Sequence, residues 1–319
     1  MARGKIGIAG FELSIVANKA GCALTASVRN RLWRGVHAGL KRLLSRRRHF
    51  AEGQRSVPAD APVDATPEAR EILRRIEGVQ WYHSIDLGHG IVTPGEFDHR
   101  PLLHRYRLPT RLDGLRVLDI GTWDGFWAFE FERRGAAEVV ATDVARRSDV
   151  DLTGVLRAGL DSSQLAAPTG RGFALAKEIL GSSVRRETVN VYDLSPERLG
   201  TFDIVHIGDI LVHLRDPVRA LERVLAVTRG YALVSDVYFP DLDCAGGATL
   251  AEYGGGGLVP VWWRLSFSAL ESMIRDAGFG EVECLSRFRY GVASERGSLM
   301  HHAVFRARPG SAAAPVVVP

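Results

Sequence analysis

The amino-acid sequence predicts an α/β fold with a doubly wound, mostly parallel seven-stranded sheet, an antiparallel C-terminal strand and a helical extension at the N-terminus. From residue 114 onward, short apolar runs alternate with helical segments, the order that covers both faces of a parallel sheet. No helical pattern separates the last two apolar runs, so we expect them to pair antiparallel. The composition agrees, because 46% hydrophobic and 24% charged residues are ordinary values for a globular protein of 319 residues.

The elements can be placed in chain order. The first helix is predicted to begin at Thr66, with Pro67 in its first turn. Gly135 and Gly181 suit the ends of later helices, which are predicted at 126–135, 173–181, 216–228 and 266–279. The predicted strands are 115–121, 138–144, 184–194, 202–210, 231–239, 281–288 and 299–308.

Composition divides the chain into five segments. They are a basic arm (1–50), a linker rich in Pro, Ala and Asp (51–66), a helical lid segment (67–112), the main α/β domain (113–308) and a disordered tail (309–319). In the arm, residues 28–50 carry apolar side chains at three- and four-residue spacing, which predicts an amphipathic helix.

The charge of the chain is unevenly distributed. Residues 1–50 hold 11 Lys and Arg against one acid, Glu12, whereas the rest of the chain holds 30 Lys and Arg against 36 Asp and Glu. Such an arm can contact RNA or an anionic membrane surface, or it can be a solvated tail.

Several classes of protein are disfavoured. No apolar run is long enough to span a bilayer, and the mildly apolar stretch 6–28 is interrupted by polar residues, which makes a poor secretion signal. Three widely separated cysteines, Cys22, Cys244 and Cys284, form neither a disulfide framework nor a zinc knuckle. We therefore expect a reducing, cytoplasmic setting.

A glycine loop follows the first predicted strand of the main domain. Asp119 and Gly121 close the strand, and Gly125 follows four residues later. Glycine lets a backbone approach a ligand closely, and ligands of such sheets lie beyond the carboxyl ends of the strands. The loop lacks the dinucleotide fingerprint, and Trp123 stands where a pyrophosphate would need space. Asp143, which ends the next strand, can accept hydrogen bonds from both ribose hydroxyls. Together, the glycine loop and Asp143 favour a nucleoside-like ligand without phosphates.

This pattern resembles the class I S-adenosylmethionine-dependent methyltransferases, which have a Rossmann-like fold. The resemblance implies S-adenosylmethionine as cofactor. It places Asp119 near the amino-acid end, the two loop glycines beneath the cofactor and Asp143 on the ribose. We expect Trp123 to seal one side of this site. The remaining cofactor-binding candidates are Tyr192 and Asp193 at the adenine, Ile207 and Gly208 beside the methionine portion, and Phe97 over the adenosine.

A narrower resemblance involves the stretches 81–101, 202–224 and 262–279. They are similar to bacterial methyltransferases related to the tRNA wobble-uridine carboxymethyltransferase, over about residues 70–308. That enzyme uses a carboxylated cofactor, and a lysine after a Trp-Arg pair helps to hold the extra carboxylate. In this chain His83 stands at that position, and a neutral imidazole is a poor substitute for a fixed cation. Plain S-adenosylmethionine and methyl transfer are therefore favoured.

Two residues are candidates for the chemistry. His213 follows the fourth strand, where the acceptor approaches, and is either a general base or a residue that caps or packs the next helix. Asp209, at the tip of the same strand, either orients the acceptor or caps the following turn.

Substrate contacts are expected from the lid segment and from an aromatic stretch. His83 is the lid candidate, with the alternative that it only packs. Trp262 and Trp263, after a glycine run, are expected to face opposite ways, so that one packs into the core while the other walls the acceptor pocket, with Tyr253 and the glycine run as a mobile flap. The alternative is that both tryptophans are structural. No metal site is predicted, and His301 and His302 should point to opposite faces of a strand.

Three functions follow as hypotheses. The leading one is methyl transfer to a small-molecule acceptor such as a sugar or secondary metabolite, on oxygen before nitrogen. The second is tRNA wobble-uridine modification, with the basic arm as an RNA contact. The third is a non-catalytic module that binds the cofactor.

Overall fold

The computed structural model describes residues 66–243, 248–255, 261–291 and 299–310, together with the backbone of three N-terminal strands. The chain forms two units, Met1–Gln54 and Arg55–Pro319. In the first unit, β1 (Ala2–Ile8), β2 (Phe11–Asn18) and β3 (Gly21–Ser27) form an antiparallel sheet with β2 in the centre. The helix predicted at 28–50 and residues 311–319 of the predicted tail lie outside the described residues.

The second unit is built on a seven-stranded sheet. Its strands are β4 (Arg116–Ile120), β5 (Glu138–Asp143), β6 (Arg185–Thr188), β7 (Phe202–Gly208), β8 (Thr228–Tyr238), β11 (Phe279–Gly291) and β12 (Leu299–Pro309). Their order across the sheet is β11-β12-β8-β7-β4-β5-β6. Neighbouring strands are parallel from β6 to β8, and β12 runs antiparallel to both β8 and β11. The predicted α/β class and seven-stranded sheet are confirmed, including the antiparallel C-terminal strand. The predicted helical extension is not found in the described N-terminal residues, which form the strands β1 to β3. Two short strands, β9 (Ala251–Tyr253) and β10 (Trp263–Leu265), pair separately.

Eight α-helices are described in the second unit. They are α1 (Pro67–Ile76), α2 (Phe126–Arg133), α3 (Gly154–Ala158), α4 (Ser162–Ala166), α5 (Arg171–Leu180), α6 (Pro196–Leu199), α7 (Pro217–Val227) and α8 (Phe267–Asp276). Thr66 caps α1 as predicted, because its hydroxyl accepts the N–H of Ala69. Gly181 adopts a left-handed conformation that ends α5.

The core lies on both faces of the sheet, as a parallel sheet requires. One apolar cluster includes Val205 and Ile207 of β7 with Leu221 of α7 and Leu270 of α8. The other packs β4 against α1, α2 and α5. In the described ranges, no helix is long and apolar enough to cross a membrane.

Two predicted elements differ in extent. The strand predicted at 184–194 is wrong in its second half, because Asn190 caps a 3-10 turn over Val191–Asp193 with its side chain. The segment 67–112 is helical only in α1 and in a 3-10 turn at Arg100–Arg105. Between them the chain is irregular and is held by isolated bridges, one of which joins His83 to Phe97.

Candidate active site at the carboxyl edge of the sheet

The glycine loop connects the tip of β4 to the start of α2. Gly121 and Gly125 have φ angles of +70° and +94°, in the left-handed region that favours glycine. Trp123, between them, has a φ of +52°, which is strained for a bulky residue. Its backbone N–H donates to Oδ2 of Asp143 at 2.8 Å, and the N–H of Gly121 donates to the carbonyl of Thr142 at 2.9 Å. The loop is therefore fastened to the tip of β5.

Asp143 lies at this junction and is 9% exposed. Its Oδ1 accepts the N–H of Val144 at 2.8 Å, so each carboxylate oxygen takes one backbone donor. Burial raises the pKa of this carboxyl, while the two N–H donors and the nearby Arg186 act to lower it. A carboxylate offers about four lone-pair sites, so capacity remains for two hydroxyl donors. The side chain of Trp123 is 40% exposed beside this position.

A buried pair lies beneath the loop. Oδ1 of Asp119 is 2.8 Å from Nδ1 of His206, its register neighbour on β7, and both side chains are almost fully buried. Within the described part of the chain, Oδ2 of Asp119 and the hydroxyl of Thr122 have no hydrogen-bond partner. One oxygen of Asp119 is therefore paired with a residue of the neighbouring strand, and the other is a buried acceptor that could still receive a hydrogen bond.

The lid segment is attached to the loop through Asp124, which is 2% exposed. One of its oxygens accepts the N–H groups of Tyr82 and His83, both at 2.8 Å. The other contacts Nδ1 of His83 in a short hydrogen bond. The His83 ring also stacks on Phe126, with centroids 5.4 Å apart. His83 is thus held in a fixed, buried position beside the loop.

A second strained position ends β7. Asp209 has a φ of +55°, and its N–H donates to the carbonyl of Ser235 at 2.9 Å. The carboxylate of Asp236, at the tip of β8, accepts the N–H of Leu211 at 2.7 Å and that of Val237 at 2.7 Å. Asp236 therefore fixes the turn that carries Asp209. Strained backbone of this kind concentrates at functional sites.

Aromatic and imidazole side chains surround Asp209. The hydroxyl of Tyr290 donates to Oδ2 of Asp209 at 3.2 Å, and Nδ1 of His302 is 3.4 Å from Oδ1. Burial, followed by the neighbouring Asp236, raises the pKa of Asp209 well above its ordinary value. Burial likewise raises the pKa of Asp236 to about 7 and lowers that of His302 to about 3. Phe97 packs against Tyr290, with centroids 5.8 Å apart.

The predicted aromatic contacts lie in a third part of the site. The indole of Trp262 donates to the carbonyl of Asp151 at 2.7 Å, and that of Trp263 donates to the carbonyl of Arg215 at 3.1 Å. Both tryptophans are half-buried, and Trp263 packs against the core. Tyr253 pairs with Trp263 across β9 and β10 and is 62% exposed.

Tyr192 belongs to the same network, because its hydroxyl donates to Oδ2 of Asp151 at 2.7 Å. Asp151 also accepts the N–H of Arg215 at 2.8 Å, so it joins the segment after β5 to the loop after β7. Burial, followed by this hydrogen bond, raises the pKa of Tyr192. Asp193, its predicted partner at the adenine, is exposed.

The remaining predicted residues occupy the tip of β7 and the turn after it. Ile207 is fully buried in the sheet core. A Cβ at Gly208 would lie 2.9 Å from both the His206 ring and the Ser235 hydroxyl, so the backbone passes close to its neighbours there. His213 is half-buried at the end of a 3-10 turn.

Several residues of the site escaped the sequence analysis. The missed group is Asp124, Asp151, His206, Asp236 and Tyr290, with His302 seen only as a strand residue. Asp236 could have been found by a rule like the one that selected Asp143, since it directly follows the last residue of β8 that pairs with β7. His302 lies near the beginning of an antiparallel strand, which reaches the same edge of the sheet.

No group of three ligand-type side chains that could hold a metal ion exists among the described residues.

Comparison with known proteins places this geometry in context. No protein-family model matches the chain. Curated relatives include the tRNA U34 carboxymethyltransferases of Pseudomonas aeruginosa (strain LESB58), 27% identical over 186 residues, and of Ectopseudomonas mendocina (strain ymp), 26% identical over 186 residues. The matched region is 58% of this chain, and the chain spans about half the length of these relatives, 51%. The narrower resemblance is confirmed as a remote similarity.

Among solved structures, the N-terminal domain of EvdMO1 in the presence of SAH and D-fucose matches 78% of this chain and 100% of its own length. The TM-score is 0.50 and the sequence identity 20%. The chain therefore has the class I S-adenosylmethionine-dependent methyltransferase fold, as its sequence resemblance implies.

Proposed function

We propose that the protein is an S-adenosylmethionine-dependent methyltransferase that acts on a hydroxyl group of a small molecule. The observation that carries the proposal is the junction of the glycine loop with Asp143 at the tips of β4 and β5. This junction brings the backbone of the glycine loop next to the Asp143 carboxylate. It lies at the tip of β4, beside the point between β4 and β7 where the strand order reverses and where ligands of such sheets bind. The EvdMO1 domain, whose structure was solved in the presence of SAH, supports this cofactor.

The residues of the junction fit this cofactor. Asp143 keeps acceptor capacity for the ribose hydroxyls, and the open oxygen of Asp119 suits a cationic amino group. At Gly121 the absence of a side chain leaves the loop backbone accessible to the cofactor, and a Cβ at this position would lie 3.0 Å from the Ile210 side chain. S-adenosylmethionine supplies an activated methyl group, so the protein has to orient the acceptor and take its proton.

The acceptor side is assigned to the tips of β7 and β8. Asp209 and His213 both follow β7, and Asp209 is surrounded by groups suited to proton transfer. Trp262, Trp263 and Tyr253 offer ring faces to a sugar-like or aromatic acceptor on this side. We therefore favour oxygen over nitrogen and a small molecule over a macromolecule.

Isothermal titration calorimetry with S-adenosylmethionine tests the cofactor assignment. We expect the folded protein to bind it and Asp143→Ala to weaken the binding at least about tenfold, the cost of roughly one charge-assisted hydrogen bond. The matched control is Asp113→Ala, which removes an exposed carboxylate at the opposite edge of the same sheet. A wild-type protein that is folded by circular dichroism yet shows no binding would refute the proposal.

tRNA modification is the second candidate, and the named relatives favour it. Against their carboxylated cofactor stands His83, whose ring is bound to Asp124 and stacked on Phe126. A ring held in this way is poorly suited to replace a lysine ammonium that would bind the added carboxylate. We therefore rank this function second.

A further inference from the structure

The C-terminal strand pair completes the acceptor side of the site. Tyr290, near the end of β11, lies beside Asp209, and His302, near the start of β12, approaches the same carboxylate. Tyr290 donates to Oδ2, whereas the His302 ring comes close to Oδ1. Asp209 remains 14% exposed and can still be reached.

The His302 ring approaches Asp209 without completing a hydrogen bond. It is fully buried, and neither ring nitrogen has a hydrogen-bond partner in the described ranges. Oδ1 of Asp209 is likewise without one, although Nδ1 of His302 lies only 3.4 Å away. Buried polar atoms without partners are rare, and catalytic hydrogen bonds are often long before substrate binds. A small ring movement brings the two atoms together.

We propose that Tyr290 and His302 are positioning residues that hold Asp209 as the proton acceptor for the hydroxyl that is methylated. This inference rests on the proposed function. In the transfer, the acceptor oxygen forms a bond to the methyl carbon while the carbon–sulfur bond breaks and leaves its electron pair on sulfur. The hydroxyl proton passes to a carboxylate oxygen of Asp209, and the charges balance.

The surroundings of Asp209 determine its titration. The groups that face it are Asp236 of β8, Tyr290 of β11, His302 of β12, and Tyr82 and Tyr106 from the segment before β4. Asp236 and burial favour the protonated form, whereas a donated hydrogen bond from Tyr290 favours the ionised form. Because burial and Asp236 raise the pKa of Asp209 and the hydrogen bond from Tyr290 lowers it, Tyr290 supports the ionised form that can accept a proton.

pH-difference infrared spectroscopy of the carboxyl band tests the arrangement. The Asp209 band is assigned by subtraction of the Asp209→Asn spectrum, or that of Asp209→Ser if the first variant does not fold. We expect Tyr290→Phe and His302→Leu each to raise the pKa of Asp209 by about one pH unit. The first variant removes the hydroxyl that donates to Oδ2, and the second removes the imidazole that, in this proposal, donates to Oδ1 once the carboxyl is ionised. His302→Gln, which keeps a donor, should stay close to the wild type.

The chain supplies matched controls. His301 is adjacent on β12 but faces the other side of the sheet, against Tyr238. His301→Gln and Tyr238→Phe should therefore leave the Asp209 titration unchanged. Equal effects of test and control variants, or no shift in either test variant, would overturn the inference. Calorimetry with S-adenosylmethionine on the same preparations separates this outcome from failure of the proposed function, which would appear as absent cofactor binding.

Discussion

Gly125 occupies a position where both backbone and packing require the absence of a side chain. Its φ is +94°, and it precedes the first turn of α2. A Cβ there would lie 2.4 Å from the Phe129 ring and 2.7 Å from the Phe173 ring. Both rings are buried and stacked on each other, so they cannot move aside easily.

We expect Gly125→Ala to lower the free energy of unfolding by about 2 kcal/mol or more, through the left-handed backbone and overpacking. Urea unfolding followed by circular dichroism measures the loss. Gly154→Ala is the control, because Gly154 has open space around its Cβ position and begins a helix. A neutral Gly125→Ala would contradict the packing argument.

At the residue scale, the sequence is most informative about positions whose signal is local. Gly121, Gly125 and Asp143 follow from a strand tip and its loop, and the structure joins them through the N–H of Trp123. Partnerships across strands depend on register, which the sequence does not reveal. The pairing of Asp119 with His206 and the approach of His302 to Asp209 are of this kind.

At the scale of elements, residues 79–99 cross the site without regular secondary structure between α1 and the 3-10 turn. Such a segment needs side chains to satisfy its backbone donors. Asp124 does this for Tyr82 and His83, and the hydroxyl of Thr93 accepts the N–H of Ile85 at 2.7 Å. The lid is therefore anchored in the loop that we assign to the cofactor.

We expect Asp124→Asn to destabilise the protein by about 2 kcal/mol, because an amide cannot replace both charged oxygens toward two N–H groups and a ring. Faster hydrogen exchange of the Tyr82 and His83 amides should accompany the loss. Asp98→Asn is the control, since Asp98 is half-exposed and pairs with Arg100. Unchanged exchange at both amides would show that Asp124 is not the anchor.

The alternation of apolar runs predicted the strands of the main domain well, since burial on both faces leaves a strong signal. It failed after β6, where the side chain of Asn190 accepts the N–H of Tyr192 and caps a 3-10 turn in place of the predicted strand. It also missed β9 and β10, which have only three residues each. Short elements are set by tertiary contacts and carry little sequence pattern.

At the scale of the whole molecule, the basic residues are concentrated before the α/β unit. The seven-stranded sheet and every proposed site residue lie within Arg55–Pro319. The excess of Lys and Arg in residues 1–50 is a sequence feature separate from this site. Cofactor binding and nucleic-acid binding should therefore be separable by truncation.

We expect a chain that begins at Arg55 to keep the wild-type affinity for S-adenosylmethionine, measured by calorimetry. Any binding of fluorescent tRNA by the full chain should weaken steeply with salt, as phosphate contacts do, and should be lost with residues 1–54. Binding of tRNA by the shortened chain, or its loss of cofactor affinity, would contradict this separation.

The position of β12 in the sheet differs from its position in the chain. This last of the described strands lies between β8 and β11, both of which precede it in the chain. During synthesis, the half that carries the glycine loop and Asp143 is complete before the ribosome reaches residue 299, whereas Asp209 still lacks its imidazole neighbour. A nascent chain would thus contain all the residues that we propose to bind the cofactor before it contains all those that we propose to accept and position the proton.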